Sequence, residues 1–355
     1  MAHIQVLGMG GTPQQGMVNG KIAPKYSLEQ LLEFVFHEGI SEVEAKEIIG
    51  KDHIDSNNLD EMDLLHLFDE VYRAELDREV IGSLVIMGTD RMADMAALCE
   101  FGVRPVRKPI IFTGAMQTIE DEETDAKGNI KNAMKLIRRM HDENVIMDGS
   151  VYAGNIVVMG AYGIYAHSAY KISTIDDCPF VCSAEKPVVF FRDGRMKFNK
   201  VKKGTVGKNP VKVYKPKFEG IGVENLLFGY KPDMQRLSQY EAIIYVGTGD
   251  GNISGSMRLS IERLAREHYI PQFICSSVPI RNTVSNYEAG IVPDGVCQSV
   301  MPVHTTYAKL AVILGSVVSQ NRKEKRDYVI KSFKNNFSNE FLHIGGLYKN
   351  YSNEI

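Results

Sequence analysis

Three short apolar runs that each end in a glycine turn limit this chain's fold more than any other feature. His3–Gly8 runs into Gly8-Met9-Gly10-Gly11-Thr12, Ser83–Gly88 into Gly88-Thr89-Asp90, and Pro109–Thr113 into Gly114-Ala115-Met116. Between and after them lie helical patterns. Ser27 with Gln30 makes a capping box before the amphipathic stretch Leu28–His37, and Ser41 with Glu44 repeats that signature for a second short helix. Asn58 with Glu61 starts another, carrying Leu64, Leu65, Leu67, Phe68 and Val71 at helical spacing. Asp90–Phe101 and Asn129–His141 read as two more. Strands alternating with helices predict an α/β fold: a parallel-rich sheet with helices on both faces. In such sheets ligands collect at the carboxyl ends of strands, which gives the three glycine turns positional meaning.

The pattern breaks near residue 190. Val188–Phe191, Asp193-Gly194 and Arg195–Phe198 predict a hairpin with an Asp-Gly turn, and Lys200–Phe218 suits a connector. The alternation then resumes with strand Ala242–Gly247, helix Ser254–Glu267, strand Gln272–Ser277 and helix Thr305–Val318. A chain of 355 residues exceeds a comfortable single core, so two α/β domains are expected. The larger occupies 1–190, a hairpin and connector 191–219, and the smaller 220–355. The segment after Val318, basic around Arg322, Lys323, Lys325 and Arg326, is expected to form a solvated helix.

A 44% hydrophobic and 24% charged composition is that of an ordinary soluble globular protein. The net charge of −3 supplies no general attraction to nucleic acid or to an anionic membrane, so neither partner is expected. No run of eighteen apolar residues occurs. MAHIQVLGMGG has no basic flank and reads as a strand rather than a signal peptide, so a cytoplasmic location is expected. Five cysteines are an odd number at irregular spacing. Cys99 and Cys275 fall in apolar runs as buried free thiols, and Cys178 and Cys182 lack zinc-site spacing, so no metal site is expected.

Two of the glycine turns carry a threonine. Paired glycines at Gly10 and Gly11 let the backbone approach a ligand closely before Thr12, and Gly88 does the same before Thr89 and Asp90. Each segment alone also has a purely structural reading, with Thr89 as a helix N-cap and Gly-Gly as an ordinary turn. A dinucleotide fingerprint is a poor match, because the third glycine is missing and no ribose-binding acid follows.

The combination is more informative. GMGGT, Asp55-Ser56-Asn57-Asn58, VIMGTD at 85–90, KPIIFTGAM at 108–116 and AYKISTIDDCPF at 169–180 occur in the order found in bacterial-type L-asparaginases. The chain resembles that family from about His3 to Val318, and the Asp-Ser pair at 55–56 is similar to its cytoplasmic, type I-like branch. The resemblance implies two stacked α/β domains, a larger amino-terminal one holding most of the active site, and hydrolysis of the side-chain amide of asparagine, sometimes glutamine. It implies no metal or cofactor, and a homodimer or homotetramer. Thr12 then matches the first-loop threonine; Thr89, Asp90 and Lys171 match the second threonine, its acid and the lysine completing the group. Tyr26 matches a first-loop tyrosine. Ser56 and Asn57 match the seat of the substrate α-carboxylate, with Asp90 taking the α-ammonium. Ala115 lies where a backbone carbonyl nears the amide, Gly11 and Gly88 at the turns, and Asp250 where a neighbouring subunit supplies asparagine.

The chemistry is consistent with those roles. A threonine hydroxyl attacks an amide only when a base takes its proton, and a lysine serves as base only in its neutral form. Backbone N–H groups at the Gly11 and Gly88 turns are natural donors to a developing oxyanion. Thr12 is expected to attack, the reverse order with Thr89 first being the alternative. Departures from the family pattern are Met9, Pro13, Met87, Arg91 and Asp250, with Glu288 the one candidate for a neighbour's glutamate. They leave two rivals open: a glutamine-hydrolysing subunit of a tRNA-dependent amidotransferase, and an amino-acid sensor on the same scaffold. The first carries an extra amino-terminal domain, whereas the glycine motif here begins at residue 8, which weighs against it.

Overall fold

Strand β1 (His3–Met9) is buried on both faces, as a strand is when helices cover a sheet from above and below. The computed structural model describes residues 2–36, 42–49, 55–142, 154–183, 187–199, 209–279, 292–293 and 295–337. They form two compact units, the first reaching Val213 and the second running from Tyr214.

After β1 comes a 3-10 turn (Thr12–Gln14), then a hairpin of β2 (Gln15–Val18) and β3 (Lys21–Pro24), helix α1 (Leu28–Phe36) and β4 (Val43–Glu47). Helix α2 (Glu61–Leu76), β5 (Val80–Met87), α3 (Met92–Gly102), β6 (Val103–Arg104), β7 (Ile110–Thr113) and α4 (Ala126–Asp142) follow. The unit closes with β8 (Asn155–Met159), β9 (Tyr162–Tyr165), β10 (Ala169–Lys171), β11 (Phe180–Cys182), β12 (Val189–Arg192), β13 (Arg195–Phe198) and β14 (Lys212–Val213).

One sheet organises this unit, in the order β13-β12-β9-β8-β7-β5-β1-β4. β4, β1, β5, β7 and β8 are parallel, and β9, β12 and β13 add antiparallel pairing at one side. Alternation divides the strand residues between two faces. Ile4, Val6, Leu84, Ile86, Ile111, Ile156 and Val158 pack with Leu28, Leu31 and Val35 of α1 and Ile130, Met134 and Ile137 of α4. Asn155, one step from Ile156, therefore points to the other face, where its Nδ2 donates to the Ala96 carbonyl of α3 at 3.0 Å. Helices thus cover both faces, as the strand–helix alternation predicts.

Local signals explain the boundaries. The Ser27–Gln30 box forms: the Ser27 N–H donates to Gln30 Oε1 and the Gln30 N–H to Ser27 Oγ. Helix α2 is capped by Asp60 in a box with Asp63, not by Asn58, which lies in a preceding 3-10 turn. The helix expected from Ser41 and Glu44 is absent: Ser41 lies outside the described residues, and Val43–Glu47 is edge strand β4, parallel to β1. Its sequence VEAKE has no strong preference of its own, so pairing decides. The expected hairpin forms as β12–β13, with Asp193 (φ 50°) and Gly194 (φ 68°) both left-handed in the turn. It forms the outer edge of the main sheet, within the first unit, and residues 200–208 of the expected connector lie outside the described residues.

The second unit contains β15 (Ile221–Asn225), α5 (Met234–Leu237), β16 (Ala242–Gly247), α6 (Gly255–His268), β17 (Gln272–Ser276), β18 (Val296–Gln298), α7 (Val303–Gly315) and α8 (Arg322–Lys334). Its strands form a parallel sheet in sequence order. Tyr245, Ile261, Leu264 and Ile274 lie in its core. Helix α8 is not merely solvated: Val329 and Phe333 are buried, and Phe333 packs on Phe273 at 4.4 Å between ring centres. The buried Lys309 ammonium of α7 donates to the Phe333 and Asn335 carbonyls, each at 2.7 Å, closing the end of α8. Cys99, Cys275 and Cys297 are buried free thiols, and burial pushes Cys99 up to about 12.

Candidate active site

The register of the sheet brings the three glycine turns together. Met9 is level with Met87 across β1–β5, and Ile86 with Thr113 across β5–β7, so Gly10-Gly11, Gly88 and Gly114 leave the sheet side by side. Each turn is crowded, two by backbone and one by a side chain. A methyl group at Gly11 would lie 2.2 Å from the Gly88 nitrogen, and one at Gly114 2.3 Å from the Met87 carbonyl oxygen. One at Gly88 would meet Ser56 Oγ at 2.7 Å. Glycine is required at Gly11 for a second reason, its φ of 85° with ψ of −174°.

Against these turns lies a polar cavity of about 250 Å³, lined by Gly11, Thr12, Gln15, Asp55, Ser56, Gly88, Thr89, Asp90, Ala115, Met116, Lys171 and Thr174. It has room for an amino-acid-sized ligand with few polar contacts to fix it. Thr12 opens the 3-10 turn after Gly11. Pro13 sits in that same first turn, where its missing N–H removes no bond that the turn needs. Buried Gln14 pins the turn. Its Oε1 accepts the Gly10 N–H at 3.1 Å, and its amide donates to the Tyr26 carbonyl at 3.3 Å and Glu47 Oε1 at 3.1 Å.

Lys171 ends β10 and is mostly buried. Its Nζ donates to Thr89 Oγ1 at 2.7 Å and to Asp90 Oδ1 at 2.6 Å. Thr89 is therefore engaged by Lys171 and is not the cap of α3; that cap position is Arg91, which makes no side-chain capping bond. The Lys171 bond, assisted by the Asn57 amide, holds the Asp90 carboxyl below its usual range despite partial burial. The strand bearing Lys171 is itself anchored. Fully buried Glu100 of α3 accepts the His167 backbone N–H at 3.1 Å and pairs with its Nδ1 at 2.8 Å. Glu100 lies on α3, the helix that begins just after Asp90, and His167 lies in the 3-10 turn just before β10, so their bonds tie the segment carrying Lys171 to that helix.

Thr12, Thr89, Asp90, Lys171, Ser56, Gly11, Gly88 and Ala115 all line the cavity. Asn57 does not. Its side chain bridges Asp55 Oδ1 and Asp90 Oδ2, each at 3.1 Å, and Asp55 takes the lining position. Tyr26 does not line it either. Its hydroxyl donates to Glu120, which also binds Lys25 and the Met17 N–H, and its ring packs on Phe34. Asp250 belongs to the second unit, in the turn after β16, where its carbonyl accepts from Gln298. Glu288 lies outside the described residues. Of the departures, Met9 and Met87 are buried in the strands, and Arg91 faces outward to Asp94 at 3.1 Å. Gln15, Asp55, Met116 and Thr174 are lining residues that sequence reasoning did not single out. Asp55 carried a signal in its place beside Ser56, and Met116 and Thr174 in the motifs at 108–116 and 169–180; Gln15 carried none. Among the described residues no cluster of three or more His, Cys, Asp or Glu side chains is placed to hold a metal ion, and no helix is long and apolar enough to cross a membrane.

A two-sided parallel sheet with a polar cavity at its strand ends is the architecture of α/β proteins that bind small ligands there. Residues 3–177 match the family model "Asparaginase, N-terminal". Over that span the chain carries the amino-terminal domain of the asparaginase family. It is similar to a glutamyl-tRNA(Gln) amidotransferase subunit of Thermofilum pendens, at 25% identity over 96% of this chain and 76% of that one. Two solved structures share its fold. The thermostable L-asparaginase from Thermococcus kodakarensis has a TM-score of 0.77 at 20% identity, covering 97% of this chain and 100% of that one. L-asparaginase I from Vibrio cholerae has a TM-score of 0.77 at 18% identity, covering 96% and 98%.

Proposed function

We propose that this protein hydrolyses the side-chain amide of L-asparagine to L-aspartate and ammonia. The observation that carries the reading is Lys171 Nζ, bonded at once to Thr89 and Asp90 inside a cavity that also holds Thr12.

In this reading the Thr12 hydroxyl attacks the amide carbon. The proton passes to Lys171 in its neutral amine form, and from there to the departing amide nitrogen, which leaves as ammonia while an aspartyl ester remains on Thr12. Backbone N–H groups of the Gly88 turn stabilise the oxyanion. Thr89, held by Lys171, then orients a water that hydrolyses the ester and returns the hydroxyl to Thr12. Asp55 and Asp90 seat the substrate α-ammonium and Ser56 its α-carboxylate, so an amino acid with a short amide side chain is the matching ligand. The chemistry so drawn needs no cofactor. The working assembly is proposed to be at least a homodimer, with Asp250 contributed by a second copy.

Ammonia release from purified protein tests the reading, over L-asparagine, L-glutamine and their D-forms, with Thr12→Ala as control. Turnover of L-asparagine that Thr12→Ala abolishes supports it. Binding of L-asparagine without turnover favours an amino-acid sensor instead. The similarity to an amidotransferase subunit favours a second reading, glutamine as the preferred amide. A kcat/KM for L-glutamine above that for L-asparagine would establish it.

A further inference from the structure

Beyond the cavity, behind the Gly114 turn, lies a polar cluster that the proposed mechanism leaves unused. Both carboxylate oxygens of Asp125 lie 3.0 Å from the Met116 nitrogen, and one lies 3.1 Å from the Gln117 nitrogen. Buried Asn129, one helical turn along, donates to Asp125 Oδ2 and to the Gly114 carbonyl, each at 3.0 Å. Its own Oδ1 accepts the Gly160 N–H at 2.8 Å. These bonds grip the backbone immediately before and immediately after Ala115.

The consequence follows from peptide geometry. The Ala115 carbonyl and the Met116 N–H belong to one planar trans unit, and in such a unit the two point in opposite directions. Because the Met116 N–H is drawn onto Asp125, the Ala115 oxygen is turned away from Asp125. Ala115 and Met116 both line the cavity, and among the described residues no donor reaches the Ala115 oxygen. An anion on the N–H side of a peptide also polarises its carbonyl, making that oxygen a stronger acceptor.

We propose that Asp125, supported by Asn129, is a positioning residue that aims the Ala115 carbonyl at the N–H of the substrate's amide. The inference rests on the amidase reading above and deepens it. Asp125 touches no substrate; it acts through the Ala115 peptide. A buried carboxylate tends to be neutralised, and burial does raise the Asp125 carboxyl above its usual range, yet its backbone N–H bonds oppose that rise.

The test compares two substrates that differ in one respect. L-Asparagine presents amide N–H groups to the Ala115 oxygen, whereas the β-methyl ester of L-aspartate presents none. Asp125→Asn keeps the side-chain shape and removes the charge and the paired acceptor. The ratio of kcat/KM for amide over ester is expected to fall about tenfold in Asp125→Asn, with KM for both compounds nearly unchanged. Equal loss on both substrates marks a merely structural role and overturns the inference, as does an unchanged ratio. If thermal melting shows Asp125→Asn unfolded, the same ratio is read on Asn129→Ser, with the same expected and overturning results. A wild-type protein that cleaves neither compound overturns the amidase reading and this inference with it. Turnover of both compounds at a constant ratio overturns the inference alone.

Discussion

Adding one methyl group at Gly11 probes the floor of the cavity more sharply than any side-chain deletion. The Cβ of Gly11→Ala would lie 2.2 Å from the Gly88 nitrogen, 2.3 Å from its Cα and 2.9 Å from the Met87 carbonyl carbon. All three are backbone atoms of the neighbouring turn, so no flexible side chain can yield. The backbone, at φ 85° and ψ −174°, sits where only glycine is comfortable, which costs about 1–3 kcal/mol for alanine. Overpacking adds roughly 1–3 kcal/mol more, so the total is about 2–6 kcal/mol. Relief requires the two turns to part by about 1 Å, a displacement that in a preorganised site costs on the order of 100-fold in rate. Gly20→Ala is the matched control. Its φ of 77° carries a similar conformational penalty of about 1–2 kcal/mol, but nothing lies within 4 Å of its Cβ. Melting curves and ammonia release, measured on both variants, separate strain from collision. Gly11→Ala is expected to lose several degrees and nearly all activity, and Gly20→Ala to lose little of either. A Gly11→Ala protein that melts and turns over like Gly20→Ala would refute the close approach of the two turns.

Three further outcomes follow from other parts of the molecule. Glu120, held down to about 2 by Lys25 and Tyr26, ties the β2–β3 hairpin through the Met17 N–H. A depressed carboxyl means that the untied state binds more protons, so this tie is complete above 4.5 and is lost as pH falls toward about 2. Protection of the Met17 N–H from hydrogen exchange, taken relative to its intrinsic rate at each pH, should fall across that window, and should already be low at neutral pH in Glu120→Gln. Lys309→Met removes both bonds and leaves the buried Phe333 carbonyl unpaired; at about 1–3 kcal/mol for that group, melting should drop and proteolysis within α8 should accelerate. Glu100→Leu removes both bonds to His167 and frees the strand that carries Lys171, so acetylation of Lys171 by a soluble anhydride should quicken, whereas labelling of exposed Lys21 should not change.

Much of this is legible in the sequence because the decisive signals are local. The apolar runs at His3–Gly8 and Ser83–Gly88 are long enough to define buried strands, and a glycine turn after each places its threonine at the carboxyl edge. Asp193-Gly194 marks its hairpin because both residues tolerate positive φ. Asn19-Gly20 makes a turn with the same left-handed pair, at φ 50° and 77°, but its flanks, QGMV and KIAP, lack clear alternation. Val43–Glu47 is a strand only because β1 offers an edge, which no window of sequence can register. Among the residues lining the candidate cavity, Thr12, Thr89, Asp90 and Lys171 are readable through order and motif. The contact of Lys171 with Thr89 across 82 residues is not, since it depends on how β10 is tied to α3. Asn57 and Tyr26 depart the other way: Asn57 adjoins lining Ser56 in sequence and Tyr26 follows the first turn, yet their polar atoms are used by Asp90 and Glu120.

In the proposed chemistry Thr12 carries the acyl group, and Lys171 serves it from across the cavity. Mass spectrometry of Lys171→Met, quenched during incubation with L-asparagine, reads out both roles at once. Ammonia release is expected to slow by orders of magnitude, with any trapped aspartyl ester on the peptide containing Thr12. Undiminished turnover in Lys171→Met, or an ester found on Thr89 alone, would contradict that assignment.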